Sequence, residues 1–233
     1  CIPEERHPAV RHSGVVLEPP GAQPAPTDYS SSTTEFAPPR EPDGAGPAPV
    51  ADRYPQGTLP VYRTTLEQLA RFPNLAAFNA KQSTFSGVAA PVPAFPKRYA
   101  TGEQDVQCLG GGSYVNVWKP FVTPTFQSTF SQHWYAAGLR GTQLQTVECG
   151  WHVDIARYGT AESHLFVYAT RNTYADADSF YNQDGNVYQP VANPYVLPGA
   201  PLASSVTGGA QTAYKMGFYL ANNAWWFYFA DQP

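Results

Sequence analysis

The sequence predicts an all-β fold, an antiparallel β-sandwich, and three observations carry that reading. From Tyr99 onward, short strand-like runs are separated by clusters of Gly, Pro and Asn. One run alternates strictly: Phe126, Ser128, Phe130, Gln132 and Trp134 stand against Gln127, Thr129, Ser131, His133 and Tyr135. A strand there has one buried face and one solvated or groove-lining face. Only 14% of the 233 residues are charged, against roughly a quarter in an ordinary soluble domain. With 24 Pro and 19 Gly, the chain is neither a coiled coil nor a helical bundle, both of which need many Leu, Lys and Glu.

Along the chain, residues 1–57 read as a Pro-rich extended arm or linker. Thirteen of the 24 prolines fall within residues 1–60, mixed with Ser, Thr, Gly and Ala, and such a segment cannot bury enough apolar surface to offset its ordering entropy. Residues 58–97 hold the one credible helical region, 64–82. Thr64 and Glu67 have capping-box spacing ahead of Leu66, Leu69 and Ala70. Pro73 breaks the segment, and Leu75 and Phe78 support a second short turn. Residues 98–233 form the sandwich domain, with strands expected at 113–118, 125–135, 144–153, 163–170, 187–189, 211–220 and 224–230. Gly110-Gly111-Gly112-Ser113 reads as a turn, since it precedes a strand and lacks the lysine of a phosphate loop. No fixed-period repeat occurs, so a propeller or solenoid is not expected.

Composition also narrows function. The net charge of -4, with only 14 Lys and Arg, offers no basic stripe for nucleic acid. Residues 1–98 hold nine acidic and nine basic residues, and residues 99–233 hold nine and five, so the whole -4 sits on the sandwich. The longest apolar run, 225–230, has strand length, so no membrane span is expected. Cys1, Cys108 and Cys149 fit no zinc pattern, and none of the five His stands suitably near a second ligand. Asp176, Asp178 and Asp184 lack the ordered spacing of a calcium loop. No metal and no cofactor are expected. The simplest cysteine count is one disulfide, Cys108 with Cys149, plus the odd Cys1. A cysteine at the start of the chain suits the lipidated N terminus of a bacterial lipoprotein, which would anchor it without a span; its plainer reading is a free or paired thiol in a tail. Export to the medium or cell surface is the expected location.

Charge counting isolates Glu148. Of the three glutamates in residues 99–233, Glu103, Glu148 and Glu162, only Glu148 falls inside a strand-like run. On a two-residue period Gln145, Val147, Cys149 and Trp151 share one face and Thr146, Glu148, Gly150 and His152 the other. A carboxyl there looks across Thr146, Gly150 and His152, with Gln132 on the neighbouring groove face. Glycine leaves room for a substrate backbone, and semi-enclosure raises a carboxyl pKa toward a value useful for proton transfer. The plainer reading is an exposed strand glutamate paired across strands. His133, His152 and His164 read as solvated or hydrogen-bonded strand histidines, and no serine-nucleophile elbow occurs.

A collinear series of motifs then resembles the neprosin family: Val115-Asn116-Val117-Trp118-Lys119-Pro120, Phe130-Ser131-Gln132-His133-Trp134, the run 146–153 with Glu148-Cys149-Gly150-Trp151, Tyr158-Gly159, the run 165–170, Tyr181-Asn182, Gly208-Gly209-Ala210-Gln211 and Trp225-Trp226. The stretch from Leu59 to Glu67, with Phe72 and Phe78, is similar to the segment preceding this domain in bacterial relatives, and residues 58–97 are read as propeptide-like. The resemblance implies a secreted sandwich of the glutamic-peptidase kind that cuts peptide bonds, in the plant namesake after proline in acid. It also implies two catalytic glutamates, one activating water and the other donating a proton, with Glu148 as the first, in the family's Glu-x-Gly-Trp motif. The second belongs to a downstream Gly-Gly-Glu motif, and none occurs in the 233 residues. Cys149 stands where relatives commonly have a small residue, and Ser179-Phe180 replaces the family's Gly-Cys, which removes a local disulfide.

Two functions follow. The first is an endopeptidase acting on peptide or protein, its second glutamate coming from outside this chain. The second is a structural or surface-filament subunit on a shortened sandwich that exchanges strands with copies of itself.

Overall fold

The computed structural model describes residues 58–59, 61–79, 98–123, 127–139, 143–174, 179–184, 188–191 and 197–230, with a few isolated positions nearer the N terminus. Most of the arm 1–57, along with Cys1, Asp176 and Asp178, lies outside the described residues. At the arm's two ends, β1 (Ile2–Pro3) pairs antiparallel with β2 (Thr58–Leu59).

The sandwich packs a three-stranded sheet on a four-stranded one, all neighbours antiparallel. The first has the order β3 (Gly110–Asn116), β8 (Ala213–Ala221), β9 (Ala224–Phe229). The second has the order β4 (Thr129–Ala137), β5 (Gln145–Val153), β6 (His164–Thr170), β7 (Ser179–Tyr181). Between them, Cys149, Trp151, Val153, Leu165, Val167 and Phe180 of the larger sheet meet Val115, Met216, Phe218 and Phe229 of the smaller in one apolar core. The alternation read from sequence sets this: every second residue of β5 enters the core. Among the described residues no helix is long and apolar enough to cross a membrane.

Local chemistry explains the element ends. The β8–β9 hairpin turns on Asn222 and Asn223, with φ of 51° and 59°, the left-handed pair of a type I′ turn that asparagine tolerates. Between β5 and β6 a short helix, Ile155–Tyr158, is capped by Asp154, whose side chain accepts from Arg157 N at 3.0 Å.

Several expectations shift. The glycine run is strand and not turn: Gly112 faces Gly217 across β3 and β8, and a Cβ at Gly112 would stand 2.7 Å from the Met216 carbonyl oxygen, so glycine is what lets the two backbones pair. Residues 188–191 carry no strand; the three-residue β7 takes the sheet edge. The helix Leu66–Leu69 is capped by Thr65, with Gln68 closing the box in place of Glu67. That one-residue slip turns Leu66 outward, 84% exposed, and buries Gln68. In the following helix, Leu75–Asn79, Phe78 is buried while Leu75 is exposed. The Cys108–Cys149 disulfide is not formed, because Cys149 is sealed in the core and Cys108 lies exposed ahead of β3.

Gly150 pairs with Gln132, and a Cβ there would sit 2.6 Å from Gln132 Cα and inside contact distance of the Ser131 carbonyl oxygen. Gly150→Ala is expected to cost more than about 2 kcal/mol of unfolding free energy. At Gly102 nothing lies within 4 Å of a built Cβ, so Gly102→Ala should stay within about 0.5 kcal/mol of wild type. Denaturant unfolding of the two variants checks both, and equal effects would contradict the packing described.

Candidate active site

Strand β5 sets Glu148 on the outer face of the four-stranded sheet. In register it lies between Trp134 of β4 and Tyr168 of β6, and Tyr181 of β7 extends the row. The next rung holds Gln132, Gly150 and Phe166; the one after it holds Phe130, His152 and His164. Thr146, Gln132, Gly150 and His152, the residues read from sequence as groove-lining, therefore share the face of Glu148. The Glu148 side chain is 0% exposed, and its Oε1 accepts from Thr146 Oγ1 at 2.8 Å. A carboxyl removed from water needs such donors, because burial without hydrogen bonds penalises the charged form heavily. The glycine has a different reason from the one read in the sequence: Gly150 admits the β4 backbone, which occupies the space a side chain would take.

Four positions along β5 from Glu148, His152 anchors a buried polar network. Its Nδ1 is hydrogen-bonded to the Tyr181 hydroxyl, which lies 3.2 Å from the Tyr158 hydroxyl. Asn182 Nδ2 donates to Tyr158 at 3.1 Å, and His152 Nε2 is 3.7 Å from Asp154 Oδ2. The imidazole stacks on Phe130 with centroids 3.7 Å apart. Burial pushes the Tyr158 phenol up to about 12 and that of Tyr181 well above 10, so both hydroxyls keep their protons at ordinary pH. His152 was legible from its face of the strand, and Phe130, Tyr158 and Tyr181-Asn182 from the resemblance motifs. Asp154 and Arg157 carried no spacing signal.

The segment 61–79 docks beside this network. Gln68 Nε2 donates to the Arg157 carbonyl at 3.3 Å and Arg71 Nη1 to the Ile155 carbonyl at 3.3 Å. Arg157 Nη2 donates to the Phe78 carbonyl, and its guanidinium lies 4.6 Å from the Phe78 ring centroid and 3.7 Å from that of Tyr181. A cavity of about 50 Å³ remains here, lined by residues that include Tyr62, Gln68, Arg157, Asn182 and Asp184; it does not reach Glu148. Further along, Tyr99 stacks on Trp134 at 6.4 Å, the cross-strand neighbour of Glu148.

Other candidates are placed elsewhere. Cys149 points to the core, and burial holds its thiol protonated, so it is no nucleophile at this face. His133 pairs with Ser113 Oγ at 3.1 Å. His164 stacks on Tyr158 at 3.9 Å and meets the Glu162 carbonyl at 2.9 Å. Among the described residues, no three His, Cys, Asp or Glu are grouped to hold a metal ion.

Burial lowers the pKa values of His133 and His164, with the carbonyl and charge of Glu162 partly opposing it at His164. Below about pH 6.5 the unfolded chain then binds more protons than the folded one, so stability falls as pH drops through that region. Asp184 acts oppositely at lower pH: burial raises its pKa, and its protonation favours the folded state. Denaturation midpoints should decline between about pH 7 and pH 5, and His164→Gln should flatten the decline. A wild-type midpoint constant across that range would contradict the burial of the two histidines.

Comparison with known families bears on this same face. The neprosin family model matches residues 125–233, the stretch that supplies β4 through β9 and with them Glu148, Gln132 and the His152 network, and this part of the chain belongs to the neprosin family.

Proposed function

We propose that the protein is a secreted or cell-surface glutamic endopeptidase that takes peptide or protein substrates and cuts after proline in acid. The observation that carries this is Glu148, a carboxyl fully buried on the outer sheet face of a neprosin domain and held at one oxygen by Thr146. Glu148 is the carboxylate that positions a water and takes its proton as the water attacks the scissile carbonyl. A second carboxyl, supplied from outside the 233 residues, returns a proton to the leaving amine; two carboxyls close together keep one protonated in acid. Trp134 and Tyr168 flank the site with aromatic surface, which strengthens each of these interactions by excluding water. The chemistry calls for no cofactor. Residues 58–97 serve as a propeptide-like cover, a role supported by the docking of 61–79 on Arg157.

A second reading, a structural or filament subunit joined to copies of itself, is favoured by one observation. Among the described residues β9 pairs on one side alone, with β8, and its Trp225 is 40% exposed, so it offers an edge for strand exchange.

Cleavage of a proline-containing peptide by the natural polypeptide at acid pH, alongside sedimentation of the same sample, separates the two. The peptidase predicts that Glu148→Gln keeps the fold and loses about 10²- to 10⁴-fold in rate. Equal activity in both proteins would remove Glu148 from catalysis. Equal inertness together with large assemblies would establish the subunit reading.

A further inference from the structure

Gln132 stands on the outer face between Phe130 and Trp134, opposite Gly150. Its Oε1 is buried without a hydrogen-bond partner. Such atoms are rare in folded proteins, and each calls for an explanation. Because Gly150 has no side chain, the floor beside the amide is backbone, and Phe166 closes the far side of the rung. Glu148 is the diagonal neighbour of Gln132, roughly 7 Å away by sheet geometry.

We propose that the Gln132 side-chain amide binds a main-chain N–H of the substrate and thereby defines a position at which proline is refused. The inference rests on the peptidase reading and adds a specificity determinant to it. An extended peptide advances about 3.3 Å per residue, so a chain with its scissile carbonyl at Glu148 presents at Gln132 an amide about two residues away. Proline and N-methylated residues have no N–H to offer there. The face thus accepts proline at the cut and excludes it about two positions off, which makes the substrate class a peptide in which prolines are not spaced at that interval.

Calorimetric titration of the full chain carrying Glu148→Gln, which binds without turnover, tests this with a proline-containing peptide and a series N-methylated at one residue at a time. A single N-methyl position should weaken binding about 10- to 100-fold. Adding Gln132→Leu should weaken the parent peptide by the same factor and abolish the discrimination, while the melting temperature holds or rises, since a buried unpartnered oxygen has been removed. Gln132→Ala serves the same comparison if leucine disturbs folding. An N-methyl profile unchanged by either substitution overturns the proposal while leaving the peptidase reading intact. A peptide neither bound by Glu148→Gln nor cut by wild type overturns both.

Discussion

Strand β5 has to bury both of its faces, and the rest of the molecule is arranged around that requirement. Its inner face is apolar apart from Gln145 and closes the core against the smaller sheet. Its outer face carries Thr146, Glu148 and His152, all withdrawn from water. A buried polar group without partners costs about as much as a core substitution, so each of these side chains recruits neighbours: Thr146 donates to Glu148, and Tyr181, Asp154 and stacked Phe130 surround His152. The candidate site is therefore built on the strand that also closes the core.

Close backbone approach is the second consequence. Gly150 lets β4 lie against β5 where any Cβ would collide with it. A requirement of sheet packing thus fixes the residue that stands opposite Gln132. The same economy holds at Arg157, a cation enclosed by Tyr181 and Phe78. It joins the segment 61–79 to the sheet by stacking and by a bond to a carbonyl, contacts that a displacing chain with an aromatic residue is chemically able to replace.

Much of this was legible in the residues. The limits of β5 differ from the expected run by one position, and the alternation of Phe130, Gln132 and Trp134 placed them on one face because a buried strand enforces a period of two. What escaped were features without a period. The three-residue β7 is too short to alternate, and Gly110 to Gly112 read as a turn because glycine's demand for space across a strand pair looks, in sequence, the same as its demand for a left-handed φ. Thr64 and Thr65 are neighbours with equal capping chemistry, and the one-residue choice between them, which decides whether Leu66 or Gln68 faces the sandwich, depends on the Arg157 carbonyl far along the chain.

By itself the sequence determined the all-β class, the strand order of faces and the singular position of Glu148, because charge scarcity and two-residue alternation are local properties. The tertiary structure alone decided that Cys108 and Cys149 stay apart, that Gly150 serves the β4 backbone, and that His152, Tyr158, Tyr181 and Asn182 meet in one network. Those outcomes depend on the separation and register of strands distant in the chain, which no local pattern encodes.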